Sequence, residues 1–385
     1  LRNDIVTERF GPRAESTIAD LSTALNVTID DSNNIARRPG ATLTIAGSSH
    51  SLWSNKNSLC FYVDAGLLKQ VHPDWTTTTL RTGMADYPIS YAQCGDRVFY
   101  TNGVQNGVIE AGGNRTFGLT VPSLFAATNV TGDLENGQYI YSMSYVRSDG
   151  QESGVGAGMI IDITTGGISF TNIPVSTDPD VAHKILYVTS ANGTVMYEVE
   201  VLDNATTSYT LTDASFEVSC ETVHMCEPPL GHLVCEYFGH LLIADDNVVY
   251  RSQAYGPELF DLTDFLAFED RITMLAPTAS GIYVGTTREI GFIGGTDPDE
   301  FSYTVVGDYG VIEGSLTYTP THHVSLELPE SMAALFLSTR GICMGLPGGQ
   351  VVNITDARYD GVTANRGASV IQQIGGSAVF ITTTN

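Results

Sequence analysis

One short pattern recurs along this chain and limits what it can fold into: an apolar, aromatic-rich strand, a small or polar turn, then a second apolar strand. It reads SLCFYVDAGLLKQV from Ser58, DRVFYTNGVQNGVI from Asp96, GHLLIADDNVVYRS from Gly239, SGIYVGTTREIGFI from Ser280, AALFLSTRGICMGL from Ala333 and SAVFITTTN from Ser377. With the fourth residue of each copy as anchor, the series is Phe61, Phe99, Leu242, Tyr283, Phe336 and Phe380, at spacings of 38, 143, 41, 53 and 44 residues. Four of these intervals match the roughly 40–50 residues of a four-stranded propeller blade. The fifth exceeds a blade by about 100 residues, the size of a small β-sandwich. The repeat therefore predicts an all-β chain, a β-propeller of about six blades interrupted once, with N-terminal propeller residues 1–118, an insertion over 119–216 and C-terminal propeller residues 217–385.

The inserted stretch has its own texture. A Pro-containing strand is expected around Val121 and Pro122, followed by GQYIYSMSYVRSDGQESG from Gly137, where apolar and polar residues alternate ahead of a Ser-Asp-Gly turn. MIIDIT from Met159, FTNIPVS from Phe170, HKILYVTSANGTVMYEVEV from His183 and SYTLTDA from Ser208 continue the alternation, with turns about every ten residues. That is the pattern of a sandwich half exposed on each sheet. The Gly-x-Tyr-x-Tyr of Gly137, Tyr139 and Tyr141, the stretch ending at Ser153, and the Ile-Leu-Tyr-Val strand before an Asn-Gly turn at Asn192 and Gly193 resemble fibronectin type III modules.

The last copy of the hairpin is short of strands. Asn26 to Gly47, two strands about a turn at Asp31 to Asn34, is expected to complete it and close the ring, which removes an exposed sheet edge. One helix is expected, a short one near Glu15 to Ala24.

Charge excludes a class of partner. The net charge is −25, and the chain has three lysines, Lys56, Lys69 and Lys184. Duplex-binding proteins set many cations against phosphates, so tight nucleic-acid binding is excluded. An acidic wall along a channel is compatible, because it repels phosphate and prevents adhesion; the plain alternative is that the charge keeps the protein dispersed. No stretch of about 18 apolar residues exists to span a bilayer. No basic segment followed by an apolar core opens the sequence, so no signal peptide is visible in it. Six cysteines without a C-x-x-C pair predict free thiols and folding in a reducing cytoplasm. N-x-T triplets at Asn26, Asn114, Asn129, Asn192, Asn204 and Asn353 read as chance in so Thr-rich a chain.

Searches for chemistry return little. Neither glycine-rich phosphate loop is satisfied, and the Gly154, Gly156, Gly158 run has no helix after it. The serine-hydrolase elbow and the zinc-protease pair of histidines are absent. Cys220, His224, Cys226, His232, Cys235 and His240 are competent zinc ligands, but Pro228 and Pro229 divide them and their spacing fits no familiar finger; the alternative is that they line a junction between blades. Asp245, Asp246, Glu258, Asp261, Asp264, Glu269 and Asp270 could supply a glycosidase pair, although close pairs are expected among 43 acidic residues. No enzyme activity, cofactor or metal is expected. The channel-lining candidates are Asp245, Asp246, Asp297, Asp299 and Glu300, in turns that would otherwise be solvated loops.

The N-terminal strands with Arg37 to Gly40, the SHSLWS at Ser49, the repeated hairpins and the blade PPLGHLVCEYFGHLLIADDNVVYRSQ from Pro228 resemble tail nozzle proteins of podoviruses, also described as packaged-DNA stabilisation or tubular tail proteins. The resemblance implies a structural virion protein. Its copies would form a homo-oligomeric ring, commonly a hexamer, beneath the portal and its adaptor, contacting fibres or a spike and enclosing the channel for translocating DNA. The chain is shorter than several nozzles, which leaves their distal tip domains in question. A carbohydrate-binding or glycosidase-like propeller and a monomeric scaffold propeller are the rival readings; against the first, neither Trp53 nor Trp75 recurs from blade to blade.

Overall fold

The computed structural model of the chain describes residues 10–12, 19–21, 27–29, 35–37, 47–111, 113–297, 300–323, 330–356, 361–374 and 377–384. The described elements are strands, apart from one 3-10 turn at Thr321–His323. Two short antiparallel pairs come first, β1 (Phe10–Pro12) with β2 (Ala19–Leu21) and β3 (Val27–Ile29) with β4 (Ile35–Arg37). Sheet 1 follows in the order β5 (Ser49–Ser54), β6 (Cys60–Asp64), β7 (Leu67–Val71) and β8 (Thr77–Thr82). Sheet 2 is β9 (Ser90–Cys94), β10 (Arg97–Thr101), β11 (Asn106–Glu110) and β12 (Gly113–Arg115).

Seven strands then form a sandwich: β13 (Ala126–Thr131), β14 (Gly137–Arg147), β15 (Met159–Ile163), β16 (Gly166–Thr171), β17 (Val181–Thr189), β18 (Met196–Asp203) and β19 (Ser208–Leu211). One layer has the order β13-β16-β19 and the other β15-β14-β17-β18, so the chain crosses between layers repeatedly. A single core, from Leu119 through Tyr141, Phe170 and Leu186 to Leu211, fills the space between the layers, with Phe216 packed on its margin.

The four-stranded pattern resumes. Sheet 3 is β20 (Leu233–Tyr237), β21 (His240–Asp245), β22 (Val248–Gln253) and β23 (Gly256–Ala267), and sheet 4 is β24 (Ile272–Thr278), β25 (Gly281–Thr286), β26 (Ile290–Gly294) and β27 (Ser302–Gly307). Sheet 5 is β28 (Thr317–Pro320), β29 (Met332–Ser338), β30 (Gly341–Gly345) and β31 (Val351–Asn353), and a hairpin of β32 (Gly367–Ile374) and β33 (Ser377–Thr384) ends the series.

Consecutive sheets pack face to face, and each gap holds its own apolar layer. Phe61, Val63 and Leu68 of sheet 1 meet Val98, Tyr100 and Ile109 of sheet 2. Phe99 and Val108, on the opposite face of sheet 2, meet Val234, Leu241, Ile243 and Phe260 of sheet 3. Leu242 and Val249 then meet Ile272, Ile282 and Val284, Tyr283 and Met274 meet Phe336 and Cys343, and Leu335 and Met344 meet Ile371 and Phe380. A sheet buried on both faces needs apolar side chains at successive positions, because neighbours on a strand point to opposite faces. This is why the second strands read VFY, LLIA, GIYVG and AALFL instead of alternating. All six repeat anchors lie on the second strand of their sheet. The result is a propeller-like array of antiparallel sheets.

Sheets 2 and 3 adjoin although the whole sandwich lies between them in sequence. The Ser90 hydroxyl accepts from the Val234 N–H at 3.0 Å, the Gly103 N–H donates to the Gly231 carbonyl at 2.8 Å, and the Thr101 hydroxyl donates to the same carbonyl.

Two expectations are corrected. Ala19–Leu21, part of the expected helix, is a strand paired with Phe10–Pro12, since a helix propensity of a few tenths of a kcal/mol per residue yields readily to pairing; the flanking residues 15–18 and 22–24 lie outside the described set. Val121 and Pro122 form no strand. Pro122 has no N–H for a ladder, and the Val121 N–H turns to the Glu227 carboxylate at 3.4 Å. At the N-terminus the expected hairpin forms, Ile29 opposite Ile35, while its turn at 31–34 lies outside the described residues.

Candidate functional site

The chemically richest place in the molecule is where the sandwich meets the sheets. Glu258, near the start of β23, has a fully buried side chain. Its Oε1 accepts from Arg97 at 3.1 Å and Arg115 at 2.6 Å; its Oε2 accepts from Arg115 at 2.8 Å, from Arg147 at 2.7 Å and from the Gly118 N–H at 2.9 Å. Arg97 and Arg115 belong to sheet 2, Arg147 ends the longest sandwich strand, and Glu258 belongs to sheet 3. One carboxylate therefore fastens three bodies.

The outer partners balance the charge. Arg115 also donates to Glu110 at 3.0 Å, and Arg147 donates to the Thr116 hydroxyl at 2.7 Å, the Gly118 carbonyl at 3.0 Å and Asp178 at 3.4 Å. Burial alone would raise the Glu258 pKa, but the hydrogen bonds and charge of Arg115, with Arg147 and Gly118, outweigh it and hold the carboxyl below its ordinary value. Burial likewise opposes the charge of Arg115, and Glu258 and Glu110 reverse that, keeping the guanidinium pKa above normal. Among the described residues, the Arg147 Nε is one of four buried side-chain polar atoms without a hydrogen-bond partner.

A second carboxylate ties the sandwich to its exit segment. Glu152 accepts from Ser144 at 2.6 Å and Tyr187 at 2.8 Å within the sandwich, and from Thr222 at 3.3 Å beyond it. Burial, then the charge of Glu152, pushes the Tyr187 pKa upward, so the phenol stays a donor. The exit segment next exchanges both backbone hydrogen bonds between Cys226 and Phe260, at 2.8 and 3.0 Å, adding itself to the outer edge of sheet 3. The glycine run that satisfies no phosphate motif has its explanation here. A Cβ on Gly154 would overlap the Met225 carbonyl, and one on Gly156 would come within 2.7 Å of the Pro122 carbonyl, so both linkers cross the sandwich where side chains are missing.

The channel-lining candidates do not gather in one place. Asp245 and Asp246 lie at the turn after β21, where Asp246 is 3.7 Å from Arg271, which also reaches Glu313 at 3.6 Å. Asp297 and Glu300 belong to the loop after β26, and the Tyr237 hydroxyl donates to Gly295 in that loop at 2.6 Å. Tyr237 pairs with His240 at one end of the β20–β21 hairpin and Asp245 ends the other, so the two groups sit at opposite ends of their sheets. Asp299 lies outside the described residues.

The six candidate zinc ligands are dispersed. Cys235 is in the core between sheets 3 and 4; His232 Nε2 lies 2.7 Å from the Ile272 carbonyl and His240 Nδ1 2.8 Å from the Ser252 carbonyl. Cys220 contacts the Thr222 hydroxyl. His224 and Cys226 share a surface depression of 440 Å³ with Asp261, Leu262 and Thr263. Burial pushes the Cys226 thiol up to about 11, leaving it protonated at neutral pH. Among the described residues no three His, Cys, Asp or Glu side chains converge as a metal would require.

Three of the carboxylates considered for glycoside chemistry have structural employment. Glu258 is enclosed by arginines, Asp264 takes two bonds from Arg251 at 2.8 and 2.5 Å, and Asp261 caps Thr263 through its N–H at 2.8 Å and hydroxyl at 2.6 Å. The described N-x-T asparagines are occupied too: Asn114 accepts from Tyr100 at 2.6 Å, Asn204 brackets Ser176, and Asn353 donates to the Arg340 carbonyl at 2.9 Å.

Lys184 is the exception among the lysines. Fully buried in the sandwich, it donates to the carbonyls of Pro174 at 2.9 Å and Thr206 at 2.6 Å, and burial pushes its pKa down to about 8. A lowered lysine pKa means the unfolded chain binds the extra proton between about 8 and 10.5, so this group's contribution to stability rises with pH across that window. The stability of wild type relative to Lys184→Met is expected to increase from pH 8 to pH 10.5 in denaturant titrations. A flat difference would show that Lys184 titrates normally; the two carbonyls left unbonded in the variant add only a pH-independent offset.

No family model matches the chain, and no curated protein matches it. Solved structures give remote likenesses. Virginiamycin B lyase from Staphylococcus aureus is 9% identical with a TM-score of 0.32, over 88% of this chain and 95% of that one. The BBS1N chain of a complex with ARL6DN is 11% identical with a TM-score of 0.31, over 89% and 91%. AztD from Citrobacter koseri is 9% identical with a TM-score of 0.26, over 87% and 89%. Likeness at this level carries no argument about activity. No helix among the described residues is long and apolar enough to cross a membrane.

Proposed function

We propose that this chain is a structural component of a bacteriophage tail, a nozzle subunit whose copies form a ring around the exit channel and retain packaged DNA. The subunit is read as a six-bladed propeller, with the hairpin of β32 and β33 completed by the N-terminal strands, carrying a fibronectin type III-like sandwich as a guest. The observation that carries a structural reading is the Glu258 cluster. A buried carboxylate of one sheet, gripped by two arginines of the neighbouring sheet and one of the sandwich, makes one stiff body from parts that a flexible linker would leave free to swing, as suits a module that must present a partner surface under load. The tail assignment itself rests on the resemblance of the SHSLWS segment and the Pro228 blade to podovirus nozzles. The net charge of −25 supports a wall that DNA passes without adhering.

Negative-stain electron microscopy of the purified chain, with portal and adaptor rings supplied, tests the assignment. Rings with a central opening that stack on the adaptor are expected. Single particles that ignore the adaptor, or turnover of a polysaccharide lost on one carboxylate substitution, would overturn it.

A further inference from the structure

The SHSLWS segment that opens sheet 1 holds a contact that a regular strand forbids. Neighbouring side chains on a strand point to opposite faces, yet His50 Nδ1 lies 2.7 Å from the Oγ of Ser51, the next residue. The cause is a bulge. Ser51 and Leu52 fall between the register pairs His50–Val63 and Trp53–Phe61, and Ser51 takes a φ of 57°, a conformation that is costly for a residue with a Cβ and that gathers at functional sites.

Three side chains line up as a result. The Ile89 N–H donates to the Ser51 Oγ at 2.8 Å, which occupies a lone pair of the oxygen and leaves the hydroxyl proton for His50 Nδ1. On the far side of the ring, Nε2 stands 3.5 Å from the Asp86 carboxylate, which favours the tautomer with its proton on Nε2 and a free lone pair on Nδ1. Ser51, His50 and Asp86 thus stand in the order nucleophile, base and orienting carboxylate, an arrangement recognised by geometry and roles and not by a sequence motif. Leu52, the following residue, has no register partner on β6, and the amide after a strained nucleophile is a recurrent oxyanion donor.

Openness limits the substrate. Asp86 is fully exposed, and Leu52 and Tyr87, the chain neighbours of Ser51 and Asp86, are exposed apolar side chains that give a short acyl group something to rest on. A site so open to water suits esters, whose alcohol leaves easily, and a net charge of −25 turns away anionic ones.

We propose that Ser51, His50 and Asp86 form an esterase site for short acyl esters of uncharged alcohols. His50 Nδ1 takes the Ser51 proton as Oγ bonds to the acyl carbon; the ester C–O bond then breaks and the alcohol leaves with that proton. Water, deprotonated by His50, attacks the acyl carbon, the bond to Oγ breaks and Ser51 regains its proton, so ester and water give acid and alcohol. Asp86 is a positioning residue. The activity goes beyond the structural reading of the chain and does not rest on it.

Full-length protein treated with a fluorophosphonate probe and assayed on p-nitrophenyl acetate tests this. The adduct is expected on the peptide that contains Ser51, and Ser51→Ala is expected to lose both adduct and hydrolysis. His50→Gln should slow hydrolysis by roughly 100-fold or more, the usual contribution of a general base. Asp86→Asn should lower kcat by about five-fold at unchanged KM, a small effect because the carboxylate is exposed and screened. Should Ser51→Ala misfold because Ser51 also anchors Ile89, the wild-type adduct and the surface substitution Asp86→Asn still decide. Folded wild type without an adduct on Ser51, hydrolysis that survives Ser51→Ala, or a kcat indifferent to Asp86→Asn would overturn the proposal.

Discussion

Replacing Glu258 with alanine is expected to destabilise the protein by about 3–5 kcal/mol, the usual loss when one partner of a buried ion pair is removed. The size follows from what remains. Arg147 is essentially buried, and its other acceptors are Thr116, Gly118 and the half-distant Asp178. Arg115 keeps only Glu110 and the Thr116 carbonyl. Three guanidinium groups would thus face one another around a hole. Glu258→Gln keeps the shape and loses the charge, so it separates packing from electrostatics and should fall between wild type and alanine. Because the carboxyl pKa is held down, the stability it contributes is present above the unfolded-state value and is lost as pH falls through the lower folded value. Chemical denaturation at pH 7 and at pH 3 checks both points: the alanine penalty should be large at the first and smaller at the second. An alanine variant as stable as wild type at pH 7 would show that the cluster fastens nothing.

Gly154→Ala is the second large effect. Overpacking usually costs 1–3 kcal/mol because neighbours can shift, but here the new methyl would meet the backbone of Met225, and that backbone leads into the Cys226–Phe260 ladder. Relief requires lifting the exit segment off the sandwich, which also strips Thr222 from Glu152. A loss of about 3 kcal/mol is expected, with protease cleavage appearing between residues 219 and 231 before either the sandwich or the sheets are cut. Gly95→Ala, where a methyl would meet nothing within 4 Å but the positive φ of 64° is retained, is the control for backbone strain alone.

The sheets were legible in the sequence because both of their faces are buried. Runs such as VFY at Val98 and AALFL at Ala333 cannot occur on a half-exposed strand without cost, so the anchors mark the second strand of sheets 1 to 5 and of the last hairpin, and the one long interval marks the sandwich. The strands of the sandwich announced themselves by alternation instead, as in GQYIYSMSY, whose Tyr139, Tyr141, Met143 and Tyr145 line the core. The outer strands were not legible: TTTLRT and SYTVVG have one covered face at most and resemble loop sequence.

Nor was the Glu258 cluster. Its partners lie 161, 143 and 111 residues away, and a constellation assembled by long-range packing leaves no local spacing to find. The signal that could have pointed to it is indirect, namely arginines at strand ends, Arg97, Arg115 and Arg147. The Cys and His residues between 220 and 240 show the converse. They are close in sequence, but a strand reverses its side chains at every step and a turn its direction, so His232, Cys235 and His240 point into different surroundings.

The central claim is that the sandwich is a guest in an array whose neighbours on either side of it belong together. Hydrogen exchange on the intact protein, read segment by segment, tests this most directly, since amides that open in one cooperative unit share one opening free energy. The account predicts that β9–β12 and β20–β23 exchange as a single unit despite the long stretch between them, with β13–β19 opening as another. Exchange in which β9–β12 open together with the sandwich that follows them, and β20–β23 open separately, would contradict it.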